Sequence, residues 1–97
     1  MNLTDLNKLI NSELTTKIKN TNIENNELSI DVKVENLYQV ILFLKTDEKC
    51  KFKQLIDIAA ADYPDEEYRF EICYLFLSHE NNLRIKVIKN AQTFGFA

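Results

Sequence analysis

The chain has 97 residues, 45% of them hydrophobic and 28% charged, with a formal net charge of −3, a single Gly and a single Pro. This is enough apolar material for one small folded domain and too much for a disordered chain, while so few Gly and Pro exclude loop-rich sandwiches and propellers, which need many special turn dihedrals. The acidic balance disfavours nucleic acid and anionic lipid as partners, and the most apolar run, Val40 to Leu44, is far shorter than the roughly 20 apolar residues of a membrane-spanning helix.

No direct membrane insertion is therefore expected. Met1 to Ser12 is polar and interrupted, unlike a secretory signal, so a cytoplasmic location is expected. Leu3, Leu6, Leu9, Ile10, Leu14 and Ile18 recur at helical spacing, which predicts a helix over residues 4–19 capped by Thr4 or Asp5. The Asn-rich stretch from Asn20 to Asn26 reads as a loop, since Asn bonds to its own backbone and tolerates left-handed conformations. Leu28, Ile30, Val32 and Val34 then alternate with Ser29, Asp31, Lys33 and Glu35, the period of a strand with one buried face. Asn36, with Gln39 at the capping-box position, opens a second helix whose stripe is Leu37, Val40, Ile41 and Leu44 and which ends near Lys45. After a charged connection, Phe52 to Leu55 reads as a short turn. Residues 56–61 read as a strand, Asp62 to Asp65 as a turn, and residues 68–78 and 83–88 as two further strands.

A slip of one residue sends every side chain of a strand to the wrong face, so parity tests whether the last three strands form one meander. Closing a hairpin over His79 to Asn82 sets Ser78 opposite Leu83, Phe76 opposite Ile85 and Tyr74 opposite Val87, apolar against apolar. Closing the preceding turn with Asp62 opposite Tyr68 sets Ala60 against Phe70 and Ile58 against Ile72, on the same face. The expected fold is a single α+β domain over residues 1–97. It is a two-layer sandwich, helix–strand–helix followed by a three-strand antiparallel meander, with both helices on the apolar side of a largely antiparallel sheet.

Cys50 and Cys73 are far apart and have no neighbouring His, so they read as reduced structural thiols. His79 falls in the predicted hairpin loop beside Glu80, with no nucleophile or second His to pair with. Asp62, Asp65, Glu66 and Glu67 gather charge at one turn, but without the regular oxygen spacing and turn Gly of a calcium loop. A small acid–base enzyme using Asp62 or Glu67 would need a pocket that perturbs their carboxyls. Gly95 alone makes no phosphate loop, and Tyr68, Phe70 and Tyr74 share the parity of core residues rather than forming a base-stacking platform. No catalytic residue, metal ligand or cofactor site is assigned.

The opposite face is more informative. Beside Arg69, Arg84 and Lys86 it carries Cys73, Leu75, Leu77 and Ile88, apolar residues that an exposed sheet face normally avoids. These residues are the candidate partner interface.

The run Phe52-Lys53-Gln54-Leu55-Ile56-Asp57-Ile58-Ala59-Ala60-Ala61-Asp62-Tyr63-Pro64, followed by Arg69-Phe70-Glu71-Ile72-Cys73-Tyr74-Leu75-Phe76-Leu77-Ser78 and Asn82-Leu83-Arg84-Ile85-Lys86-Val87, resembles the C subunit of respiratory NADH-quinone oxidoreductase. Leu28 to Leu44 resembles the strand and helix that precede this block in the family. Leu75 stands where the family often has His. Family members continue into an acidic, arginine-containing segment, so the resemblance implies the N-terminal portion of a longer protein. It also implies a structural subunit of the peripheral arm of a proton-pumping complex, without flavin or iron–sulfur cluster, peripheral to the inner membrane on its cytoplasmic side. Such a subunit docks the quinone-site subunit and supports electron transfer from NADH to quinone. The 2 cysteines fall short of the thiolates a typical cluster needs. The alternative is an unrelated free-standing cytosolic adaptor that adds a partner strand at its sheet edge.

Overall fold

The computed structural model describes residues 1–65 and 70–91. Its first element, α1 (Leu3–Glu13), is capped by Asn2, whose side chain accepts the Asp5 N–H at 2.8 Å, rather than by Thr4 or Asp5. Leu6 and Ile10 bury the inner stripe. The helix stops well before Lys19 because Thr15, Thr16 and Ile18 follow, and such β-branched residues favour extended backbone. Leu14 and Ile18 are buried all the same, which is why apolar spacing continues beyond the helix end.

Two antiparallel strands follow, β1 (Ile18–Glu24) and β2 (Glu27–Val32). Glu24 pairs with Glu27, leaving Asn25 and Asn26 as the loop, both at positive φ (53° and 59°). Positive φ at both central positions is the mark of a type I′ turn, whose twist matches the strands it joins. The predicted loop over residues 20–26 is thus a strand and its turn. Most of β1 is exposed, so it lacks the alternation that reveals a half-buried strand. Because Val strongly resists positive φ, Asn26→Val should lower stability by about 1–2 kcal/mol and Asn26→Gly should not, as read from urea midpoints.

Val34 leaves β2 in a short 3-10 turn, Val34–Asn36, and is 45% exposed. The second helix, α2 (Leu37–Thr46), buries Leu37, Val40 and Leu44; Asn36 makes no side-chain cap bond, so the expected capping box does not form. Phe52, expected in a turn, is buried, and its N–H donates to the Leu44 carbonyl at 2.8 Å. Three strands complete the chain: β3 (Gln54–Asp62), β4 (Phe70–Ser78) and β5 (Leu83–Ala91).

The sheet runs β1-β2-β5-β4-β3. The β4–β5 register is the expected one, with Ser78 opposite Leu83, Phe76 opposite Ile85 and Tyr74 opposite Val87. The β3–β4 register is displaced: Asp62 pairs with Phe70, Ala60 with Ile72 and Ile58 with Tyr74, with a bulge between Leu55 and Asp57. The displacement is an even number of residues, so the faces stay as expected. β2 lies parallel to β5, making the five-stranded sheet mixed where a largely antiparallel one was expected; the predicted meander is three of its strands.

Residues of both helices join one core with Leu28, Ile30, Val32, Ile72, Tyr74, Phe76, Ile85 and Val87, which leaves the helices on a single face. Lys89 continues that face beside Ile72 and is also buried. Two helices about 10 Å wide cover roughly four strands at ~4.8 Å spacing. β3 is the strand left over, exposed along its length except at the half-buried Ala61.

Candidate partner interface

Side chains pointing away from the helices line up in rows across the strands. Ala59, Cys73, Ile88 and Asp31 form one row, and Asp57, Leu75, Lys86 and Ser29 the next. Gln54, Leu77 and Arg84 form a third. The structure therefore brings Cys73, Leu75, Leu77, Arg84, Lys86 and Ile88 onto one patch of two neighbouring strands. Arg84 is exposed and the others are half-buried against one another. Arg69 and Tyr68 lie outside the described residues, as do Glu66 and Glu67.

The patch mixes apolar, charged and thiol groups. Lys86 Nζ lies 3.7 Å from Glu27 Oε1. The Cys73 thiol donates to Glu71 Oε1 at 3.7 Å, and burial, with the Glu71 carboxylate adding to it, pushes that thiol above its ordinary value. A neutral thiol is a poor nucleophile. Asp57, Ala59, Cys73, Leu75 and Lys86 enclose a cavity of about 200 Å³. Leu77 and Arg84 border another of about 430 Å³ with Asn25, Asn26, Glu27 and Asn82, where the turns of two hairpins meet the sheet face.

His79, Glu80 and the neighbouring Asn81 of the β4–β5 turn make contacts across to the connection that leads into β3. Asn81 Nδ2 donates to the carbonyls of Lys49 (2.8 Å) and Cys50 (3.0 Å), Lys51 Nζ meets Glu80 Oε2 at 2.8 Å, and His79 Nε2 bonds Gln54 Oε1. These contacts pin the β4–β5 hairpin to the connection between α2 and β3. Asp62 and Asp65 border a cavity of about 210 Å³ with Tyr63 and Pro64; among the described residues no group of three or more His, Cys, Asp or Glu comes together as a metal site. Nor is any described helix long and apolar enough to cross a membrane.

The sequence pattern misses a run of exposed apolar residues on β3 and just after it. Leu55, Ile56, Ile58 and Tyr63 are 44%, 42%, 41% and 43% exposed, although Ile58 has the parity of the core. The available signal is the adjacent pair Leu55-Ile56, which puts large apolar groups at consecutive positions where simple alternation places only one on each face.

Comparison with known proteins bears on the same strands. The C subunit of NADH-quinone oxidoreductase from Mesorhizobium japonicum is 34% identical over 85 residues, and that from Rhodospirillum rubrum is 38% identical over 85 residues. These alignments cover 88% of this chain and 42% and 40% of the relatives. The corresponding protein of Ruegeria pomeroyi is 44% identical over 61 residues, covering 63% of this chain and 30% of the relative. The chain thus spans well under half the length of the relatives it matches. A family model described as respiratory-chain NADH dehydrogenase, 30 Kd subunit, matches residues 30–94, a span that holds β3, β4, β5 and the whole outer patch, and on that match the chain belongs to this family.

Proposed function

We propose that this chain is the N-terminal part of a non-catalytic structural subunit in the peripheral arm of a proton-translocating NADH-quinone oxidoreductase. It docks the quinone-site subunit through the outer face of β4 and β5, and so supports electron transfer from NADH to quinone without a cofactor of its own. Protein contacts hold it at the cytoplasmic side of the inner membrane. The relatives' name, a subunit of that oxidoreductase, supports the assembly. The docking role rests on one observation: Cys73, Leu75, Leu77 and Ile88 form an apolar centre on the face the helices leave open, flanked by Arg84 and Lys86. An apolar centre with a polar rim is the anatomy of a protein interface. The match over residues 30–94 speaks against an unrelated adaptor.

Co-expression with the quinone-site subunit, followed by capture of wild type and Leu77→Asp, tests this reading. Leu77 lies opposite Arg84 on the outer face, so the change spares the core. The expected result is at least about a tenfold loss of capture with an unchanged melting curve. Equal capture would remove this face as the interface.

A further inference from the structure

We infer that the free edge of β3 is a second docking surface, which accepts an extended segment of a neighbouring polypeptide as an added strand of the sheet. That the neighbour is another subunit of the same enzyme rests on the function proposed above; the edge itself does not.

β3 ends the strand order, and among the described residues its far side pairs with no strand. At 9 residues it is long for an edge, and it presents a row of backbone donors and acceptors that templates strand addition. Folded proteins blunt such edges by shortening, by charge or by covering them with a helix. Among the described residues, the core that the helices join includes residues of β4 and none of β3. Leu55 and Ile58, paired with Phe76 and Tyr74 on the helix side, are 44% and 41% exposed, and Ile56 at the bulge is 42% exposed. Among the described residues the blunting devices are the bulge, the exposed Asp57 and Asp62, and one local bond, the Ile58 N–H donating to Asp57 Oδ1 at 2.9 Å, and they leave Leu55, Ile56 and Ile58 exposed. The opposite edge makes the contrast. β1 exposes Lys19, Asn20, Asn22 and Glu24, with Ile23 its one large exposed apolar residue, as an edge facing water should.

Charge and shape select the occupant. Exposed Asp62 and Asp65 stand at the end of β3, exposed Asp57 in its middle, and Ala59 and Ala61 leave room on the outer face. The fitting segment is extended and carries apolar side chains at alternate positions to continue the layer over Leu55 and Ile58. Lys or Arg lies at the end beside Asp62 and Asp65.

The test is backbone hydrogen exchange of the whole chain, alone and with a saturating nine-residue peptide that alternates valine and threonine and ends in two lysines. Amides of residues 54–62 are expected to slow by at least about tenfold, to lose that protection in Ile58→Lys, and to keep it in Leu77→Asp. Unchanged exchange in wild type, or equal protection by the same peptide ending in two glutamates, would overturn the inference. Protection that grows with protein concentration without peptide, together with a dimer in sedimentation, would assign the edge to a second copy and overturn it too. Because Leu77→Asp reports on the outer face and Ile58→Lys on the edge, failure of one reading is distinguishable from failure of the other.

Discussion

Phe52→Ala is expected to lower the unfolding free energy by about 3–5 kcal/mol, a large part of the stability of a domain this size. Phe52 is 1% exposed and packs in the core beside Cys50, at 0%. Its backbone is held to the end of α2 by the bond to the Leu44 carbonyl, and the carbonyls of Lys49 and Cys50 are held by Asn81. With the chain clamped on both sides, the walls cannot close over the missing ring. The cost should therefore fall near the upper end of the range, since it grows with the cavity that remains. Tyr38→Ala is the control: Tyr38 is 75% exposed, and truncating it should change stability by less than about 0.5 kcal/mol. Urea denaturation reads both. A Phe52→Ala midpoint no lower than that of Tyr38→Ala would mean that the ring does not join the core.

Phe52 also shows where sequence pattern stops carrying structural information. It belongs to no periodic run, and its burial is decided by where α2 ends, so nothing local marks it. The paired strands β4 and β5 are the opposite case. Each has one face in the core, and closing the short turn over His79 to Asn82 sets Ser78 opposite Leu83 with apolar residues aligned across the hairpin. The β3–β4 register is weaker because parity is blind to a shift by an even number of residues. Parity is equally blind to strand direction, which hides the parallel pairing of β2 with β5.

The outer patch follows from the same parity argument, since Cys73, Leu75 and Leu77 must face away once Ile72, Tyr74 and Phe76 face the core. The exposure of β3 does not follow, and the reason lies at the other end of the sheet. With β1 read as a loop the sheet has one strand fewer, and two helices suffice to cover it. Counting β1 pushes β3 beyond their reach. One missed edge strand, hidden by its polar Asn-rich sequence and a turn built on left-handed Asn25 and Asn26, thus conceals the apolar edge opposite.

Stability is expected to fall as pH rises from about 9 towards 12, and Cys50→Ala should remove most of that fall. Cys50 is fully buried, and burial, with the Asp47 carboxylate adding to it, pushes its thiol from 9.0 up to about 12. In the unfolded chain the thiol ionises near its ordinary value, whereas the native state keeps the proton. Below that value both states hold the proton and the native advantage is complete. Above it the unfolded state gains from ionising while the native state does not, until the folded thiol ionises as well. The full difference is on the order of 4 kcal/mol. Burial also raises the Cys73 thiol and the Tyr74 hydroxyl, so the comparison of wild type with Cys50→Ala, not the wild-type curve alone, isolates the Cys50 thiol. Urea midpoints for both proteins at neutral pH and near pH 10.5 give the result, and a gap between them that does not change with pH would overturn the assignment. The same burial makes Cys50 inert towards thiol reagents at neutral pH until the core opens, so labelling there times unfolding rather than surface chemistry.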